Sequence, residues 1–145
     1  MKNISTAETH FLPTYMLKSH VTPRLLVVDD DPLFGKIMKR AAACFGAQLT
    51  FVQSVAALTD YDLKGNDVAI IDFDLDTFTG LELVRSFGAN SSLPIVLVSA
   101  VVRHPDSHWS DSIYEFLVKD RGPLAIIDAA FEAHEIAQLN APARC

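Results

Sequence analysis

Between Arg24 and Leu139, short apolar runs alternate with stretches of helical period, and this alternation restricts the fold more than any other property of the chain. LLVV ending at Val28, VAIID ending at Asp72 and IVLVS ending at Ser99 are continuous apolar runs of strand length. That is the pattern of strands buried on both faces of a sheet. Strands are expected at Arg24–Val28, Gln48–Val52, Val68–Phe73, Ile95–Ser99 and Tyr114–Val118. After the first, Pro32 suits the opening turn of a helix, Leu33, Ile37, Ala41, Cys44 and Phe45 recur at helical spacing as its inward face, and Gly46 ends it. Ser54 caps a short helix running to about Leu63, before a turn at Lys64-Gly65-Asn66. Leu81, Val84 and Phe87 mark another helix, closed by Gly88. The last helix, Pro123–Leu139, is expected to turn Leu124, Ile127 and Phe131 inward.

Five β-α units in series imply an α/β fold, a doubly wound parallel sheet with helices on both faces. Right-handed crossovers leave the flavodoxin-like strand order 2-1-3-4-5 as the natural arrangement. Strands one and three are then neighbours, so Asp29, Asp30 and Asp72 meet at the carboxyl end of the sheet, where such folds open their ligand crevice. No packing argument wants three carboxylates there. They repel one another unless a divalent cation or a lysine neutralises them. Asp31, before Pro32, reads as a helix N-cap. The domain is expected to span residues 24–139, with a flexible extension at 1–23 and a short tail at 140–145.

At 145 residues the chain has room for one domain with a sizeable core, and 50% hydrophobic with 21% charged residues describes a globular protein. A net charge of −6 offers no basic patch for phosphate backbones, which argues against direct nucleic-acid binding. No apolar run approaches the roughly 20 residues of a membrane span, and MKNISTAETH lacks the apolar block of a signal peptide, so a cytoplasmic location is expected. Cys44 reads as a small core residue and Cys145 as a terminal thiol, with no disulfide expected.

The acidic pair Asp29-Asp30 after LLVV, Asp72 ending VAIID, Gly80 eight residues later, Ser99-Ala100 ending IVLVSA and Lys119 ending EFLVK stand in a fixed order at successive strand ends. Together they resemble a response-regulator receiver domain of the two-component phosphorelay, over roughly Arg24 to Leu139. The resemblance implies a phosphoryl group accepted on Asp72, with Lys119 and Ser99 contacting it. It also implies a Mg²⁺ held by Asp29, Asp30, Asp72 and the backbone carbonyl of Asp74, with Asp30 the more direct ligand. Ser99 and Phe116 would form the switch, read by a protein target on the face of the fourth helix, fifth strand and fifth helix. The donor would be a histidine kinase or histidine phosphotransfer protein. The chain would act as a stand-alone signalling receiver rather than an enzyme, with output by protein–protein contact, and a homodimer is compatible with it.

Several positions depart from that family's pattern. Asp76 stands four residues after Asp72 and Asp120 follows Lys119, where proline is common in the family. The stretch VVRHPDSHWSDS, Val101 to Ser112, has no clear apolar period and carries Trp109 as a candidate anchor. Asp74 is expected to add negative charge at the rim and alter phosphoryl lifetime. His104 and His108 lack the third ligand of a metal pair, and His10, His20 and His134 have no recognisable context. Two other readings stand beside the switched receiver. One is a pseudo-receiver, binding partners without phosphorylation. The other is a haloacid-dehalogenase-type phosphatase, whose aspartate motif IIDFDLDTF fits in neither register.

Overall fold

In the computed structural model, residues 22–87, 91–103 and 112–140 are described. Five strands, β1 (Leu25–Val28), β2 (Leu49–Val52), β3 (Val68–Asp72), β4 (Ile95–Ser99) and β5 (Ile113–Val118), form one sheet in the order β2-β1-β3-β4-β5. All four pairings are parallel. This is the expected flavodoxin-like sheet. The helices are α1 (Pro32–Cys44), α2 (Asp60–Lys64), α3 (Gly80–Ser86) and α4 (Pro123–Asn140). Gly88, Cys145, most of the 1–23 extension, the tail from residue 141, and Trp109, His104 and His108 lie outside the described residues, as does the segment expected to hold the helix between β4 and β5.

Successive strand residues point to opposite faces, and each face packs its own core. On one side Leu25, Val27, Ile70 and Val98 meet Phe34, Met38 and Ala42 of α1 with Ile126, Ala130 and Phe131 of α4. The rings of Phe45 and Phe131 close that layer edge to face, with centroids 5.3 Å apart. On the other side Leu26, Val28, Ile71 and Leu97 meet Leu83 and Val84 of α3. A bulge shifts the β4–β5 register between Ile95 and Val96, which sets Phe116 opposite Leu97. Half-buried Phe116 therefore packs on the second core.

Several sequence expectations need correction. The inward stripe of α1 is Phe34, Met38, Ala41 and Ala42: Ala41 is inward as expected and Phe45 packs on this core, but Phe34 and Met38 take the places expected of Leu33 and Ile37. Leu33 and Ile37 are 61% and 40% exposed, and Cys44 is exposed rather than in the core. In LF, IM and AA either neighbour is apolar, so periodicity alone does not set the phase. Contact does: a Cβ on Gly35 would meet the Phe51 ring at 2.4 Å, so the helix lies too close to β2 to turn any other face inward. Leu124 is likewise exposed, in the first turn of α4, while Ile127 and Phe131 are buried as expected. The helix expected from Ser54 to Leu63 is two elements. Ser54 caps a single 3₁₀ turn, Val55–Ala57, and Thr59 with Asp62 forms a capping box that starts α2 afresh. Gly46 does end α1, at a φ of 69° that a side chain would resist.

Candidate functional site

The site grows from the ends of four strands. Val28 pairs with Ile71, Asp72 with Val98, and Ser99 with Val118, so the residues at these ends share one edge of the sheet. Asp29 and Asp72 are buried there, 0% and 4% exposed, and Asp30 is half-buried. Oxygens of these three carboxylates lie within 4.8 Å of one another. Asp29 Oδ1 accepts the N–H of Asp31 at 2.8 Å, and Asp31 accepts from Leu33 at 2.9 Å, confirming Asp31 as the cap of α1.

Lys119 reaches the cluster from the end of β5. Its Nζ lies 2.7 Å from Asp29 Oδ2 and 3.7 Å from Asp72 Oδ2, so it pairs with both carboxylates and more tightly with Asp29. The ammonium also sits 4.5 Å above the Phe34 ring, which holds its aliphatic stem against the core. Asp29 Oδ2 is fully buried and takes no hydrogen bond from any other described donor. An under-coordinated buried oxygen beside two further carboxylates is a donor set that suits a small hard dication, so Asp29, Asp30 and Asp72 fit Mg²⁺.

Electrostatics follow from that crowding. Burial, then the charge of Asp29, pushes Asp72 up to about 6, although Lys119 opposes both. Asp30 is also raised, first by its hydrogen bond with the Asp76 carboxyl, then by burial and the charges of Asp76 and Asp29. Burial draws the Lys119 ammonium down, but its contact with Asp29 and the nearby charge of Asp72 more than offset this, and its net direction is up.

Ser99 is fully buried and donates to Asp74 Oδ2 at 3.0 Å. Arg103, half-buried, donates from Nε to Ser99 Oγ at 3.3 Å and pairs with Asp74 Oδ1 at 2.5 Å. Its guanidinium lies 4.1 Å above the Phe73 ring. The rim charge expected of Asp74 is thus paired. Gly80 begins α3 against β3: its N–H donates to Phe73 at 2.7 Å, and a Cβ there would lie 2.4 Å from the carbonyl oxygen of Asp72. Only glycine permits that approach.

Asp29, Asp30, Asp72 and Lys119 are therefore brought together, with Ser99 on the same edge. Phe116 packs against the second core. Asp76 and Arg103 are the participants that sequence reasoning missed. A residue four past each of Asp72 and Ser99, just beyond the turn, was the available signal.

The same fold occurs in solved structures. A CheY-like response regulator receiver domain protein from Methanospirillum hungatei superposes with a TM-score of 0.68 at 16% identity, over 83% of this chain and 100% of that one. The response regulator TrrA of Thermotoga maritima, solved in complex with Mg²⁺-BeF, gives 0.67 at 21% identity over 77% of this chain and 99% of that one. This chain has the fold of a receiver domain. Curated relatives agree over part of their length. The nisin biosynthesis regulatory protein NisR of Lactococcus lactis is 30% identical over 78 residues, 53% of this chain and 34% of that protein. The regulatory protein VirG of Agrobacterium tumefaciens is 30% identical over 94 residues, 59% of this chain and 32% of that protein. The chain spans about a third of the length of the curated relatives it matches. No protein-family model matches it. Among the described residues, no helix of this receiver fold is long and apolar enough to cross a membrane.

Proposed function

We propose that the chain is a phosphorylation-switched signalling receiver whose phosphoacceptor is Asp72. The observation that carries this reading is the buried carboxylate trio, Asp29, Asp30 and Asp72, with the Lys119 ammonium set against it. A carboxylate oxygen of Asp72 forms the new bond to phosphorus as the bond from phosphorus to a donor imidazole nitrogen breaks in line, and the imidazole leaves with that electron pair. Asp29, Asp30 and Asp72, with the backbone carbonyl of Asp74, would hold Mg²⁺. When bound there, the ion neutralises charge on the phosphoryl oxygens. Lys119 supplies a second positive charge and exchanges part of its contact with Asp29 for the phosphoryl group. Ser99 supplies a hydroxyl proton to a phosphoryl oxygen, and the segment after β4 moves with it. Phe116, on the neighbouring strand, would carry that change to a protein target.

Donors consistent with this chemistry are a histidine kinase or a histidine phosphotransfer protein, and on this reading the chain acts in the cytoplasm, in signal transfer rather than turnover. The test is incubation with Mg²⁺ and acetyl phosphate, read by intact mass beside Asp72→Asn. A single phosphate-sized gain in the parent protein, absent from the variant, is the expected result. No gain, with beryllofluoride also unbound, would point to a phosphorylation-independent binding module instead.

A further inference from the structure

Ser99 has one hydroxyl proton, and Asp74 Oδ2 takes it. Ser99 Oγ in turn accepts the Nε–H of Arg103 and the N–H of Val101, each at 3.3 Å. With both acceptor positions filled, the O–H bond has one direction left, toward Asp74. Arg103 also grips the opposite oxygen of that carboxylate, so a single guanidinium orients the hydroxyl and its acceptor together. Stacking on Phe73, the residue directly after Asp72, ties the guanidinium to the end of β3. Ser99 is wholly buried and cannot turn its proton to water. It can only exchange one acceptor for another.

We propose that Asp74 and Arg103 form a latch on Ser99, so that a phosphoryl group on Asp72 must displace the Asp74 carboxylate to gain the Ser99 proton. This inference rests on the phosphoacceptor reading above. Both acceptors are anionic oxygens, so the exchange is closely balanced, and small changes in the latch shift it. Asp74 and Arg103 are positioning residues that act through Ser99. When the proton changes partner, Arg103 loses one of its two reasons to stay over Phe73. The chain leaving β4 through Val101 is then released from the end of the sheet.

The test is calorimetric titration of the full chain with beryllofluoride in the presence of Mg²⁺. Parent, Asp74→Ala, Ser99→Ala and the double variant are compared, and the Val101 amide resonance is followed by NMR. Asp74 is exposed and Arg103 lies at the surface edge, so neither truncation opens the core. Asp74→Ala is expected to tighten binding about tenfold, because a hydrogen bond to a charged acceptor no longer has to be broken. In the Ser99→Ala background the same change is expected to alter affinity by less than about twofold. Arg103→Ala is expected to move the unloaded Val101 resonance toward its loaded position.

Equal tightening with and without the Ser99 hydroxyl would reduce the effect to charge removal and overturn the latch. So would unchanged affinity in Asp74→Ala. An unmoved Val101 resonance in Arg103→Ala would remove Arg103 from the device. If the parent fails to bind beryllofluoride at all, the phosphoacceptor reading falls and the latch with it. If the parent binds and the cycle shows no coupling, only the latch falls.

Discussion

As the proposed phosphoacceptor, Asp72 meets two conflicting demands: burial keeps water from the transfer, and ionisation is needed to perform it. Its carboxyl titrates near 6, against 3.8 unperturbed, so folding holds its proton more tightly than the unfolded chain does. The strain of ionising it is therefore absent at acid pH, grows between about pH 4 and 6, and is fully present above that, at a cost on the order of 3 kcal/mol. Asp72→Asn removes the charge and is expected to raise the Tm by several degrees at pH 7.5 in chelator. The gain should shrink to about half near pH 5, part-way through that window. Thermal melts of both proteins at the two pH values check this, and an equal gain at each pH would mean that packing, not charge, is responsible. Asp29, Asp30, Asp72, Ser99 and Lys119 were legible in the sequence because each closes a strand or directly follows one, where a polar group has no packing reason to be. Arg103 and Asp76 were not, because each lies past a turn whose shape places it. The preference of Lys119 for Asp29 was equally hidden, since it depends on about 1 Å of difference between two carboxylates.

Elements were legible where one residue decided them. Pro32, Gly46 and the cap Asp31 marked ends through local chemistry, and the apolar runs marked the strands. The rotation of α1 and the break before α2 were not. The first depends on the gap over Phe51, and the second on Thr59 and Asp62 satisfying each other across the new N-terminus. Gly80 shows how an element and the site share one contact. Gly80→Ala forces a methyl group against the Asp72 carbonyl, so the start of α3 must shift away from β3. A loss of about 1–3 kcal/mol is expected, the range for overpacking in a tight contact. Weaker Mg²⁺ binding should accompany it, because the loop from Asp72 to Thr79 moves with the helix. Urea unfolding and a Mg²⁺ titration of the variant measure the two effects. Unchanged stability would mean that α3 can move away without cost.

For the whole molecule, occupancy of the site and stability of the fold are linked, since an unfolded chain does not gather Asp29, Asp30 and Asp72. With Mg²⁺ and beryllofluoride at about a hundred times their dissociation constant, stabilisation of about 2.7 kcal/mol is expected. It should appear as a Tm rise of several degrees in the parent and none in Asp72→Asn, measured by differential scanning. A rise of equal size in both would place the ligand elsewhere.

The flavodoxin-like sheet gives this site its dimensions. Asp29, Asp72, Ser99 and Lys119 hang from four consecutive strands, β1, β3, β4 and β5, and neighbouring strands of any sheet lie about 4.8 Å apart. The backbone ladder is thus a ruler, with one chemical group at each graduation. Side chains in both cores keep that ruler flat or twisted. A methyl group lost beneath β3 or β4 therefore recalibrates every interval of the site together, without touching any of the residues that line it.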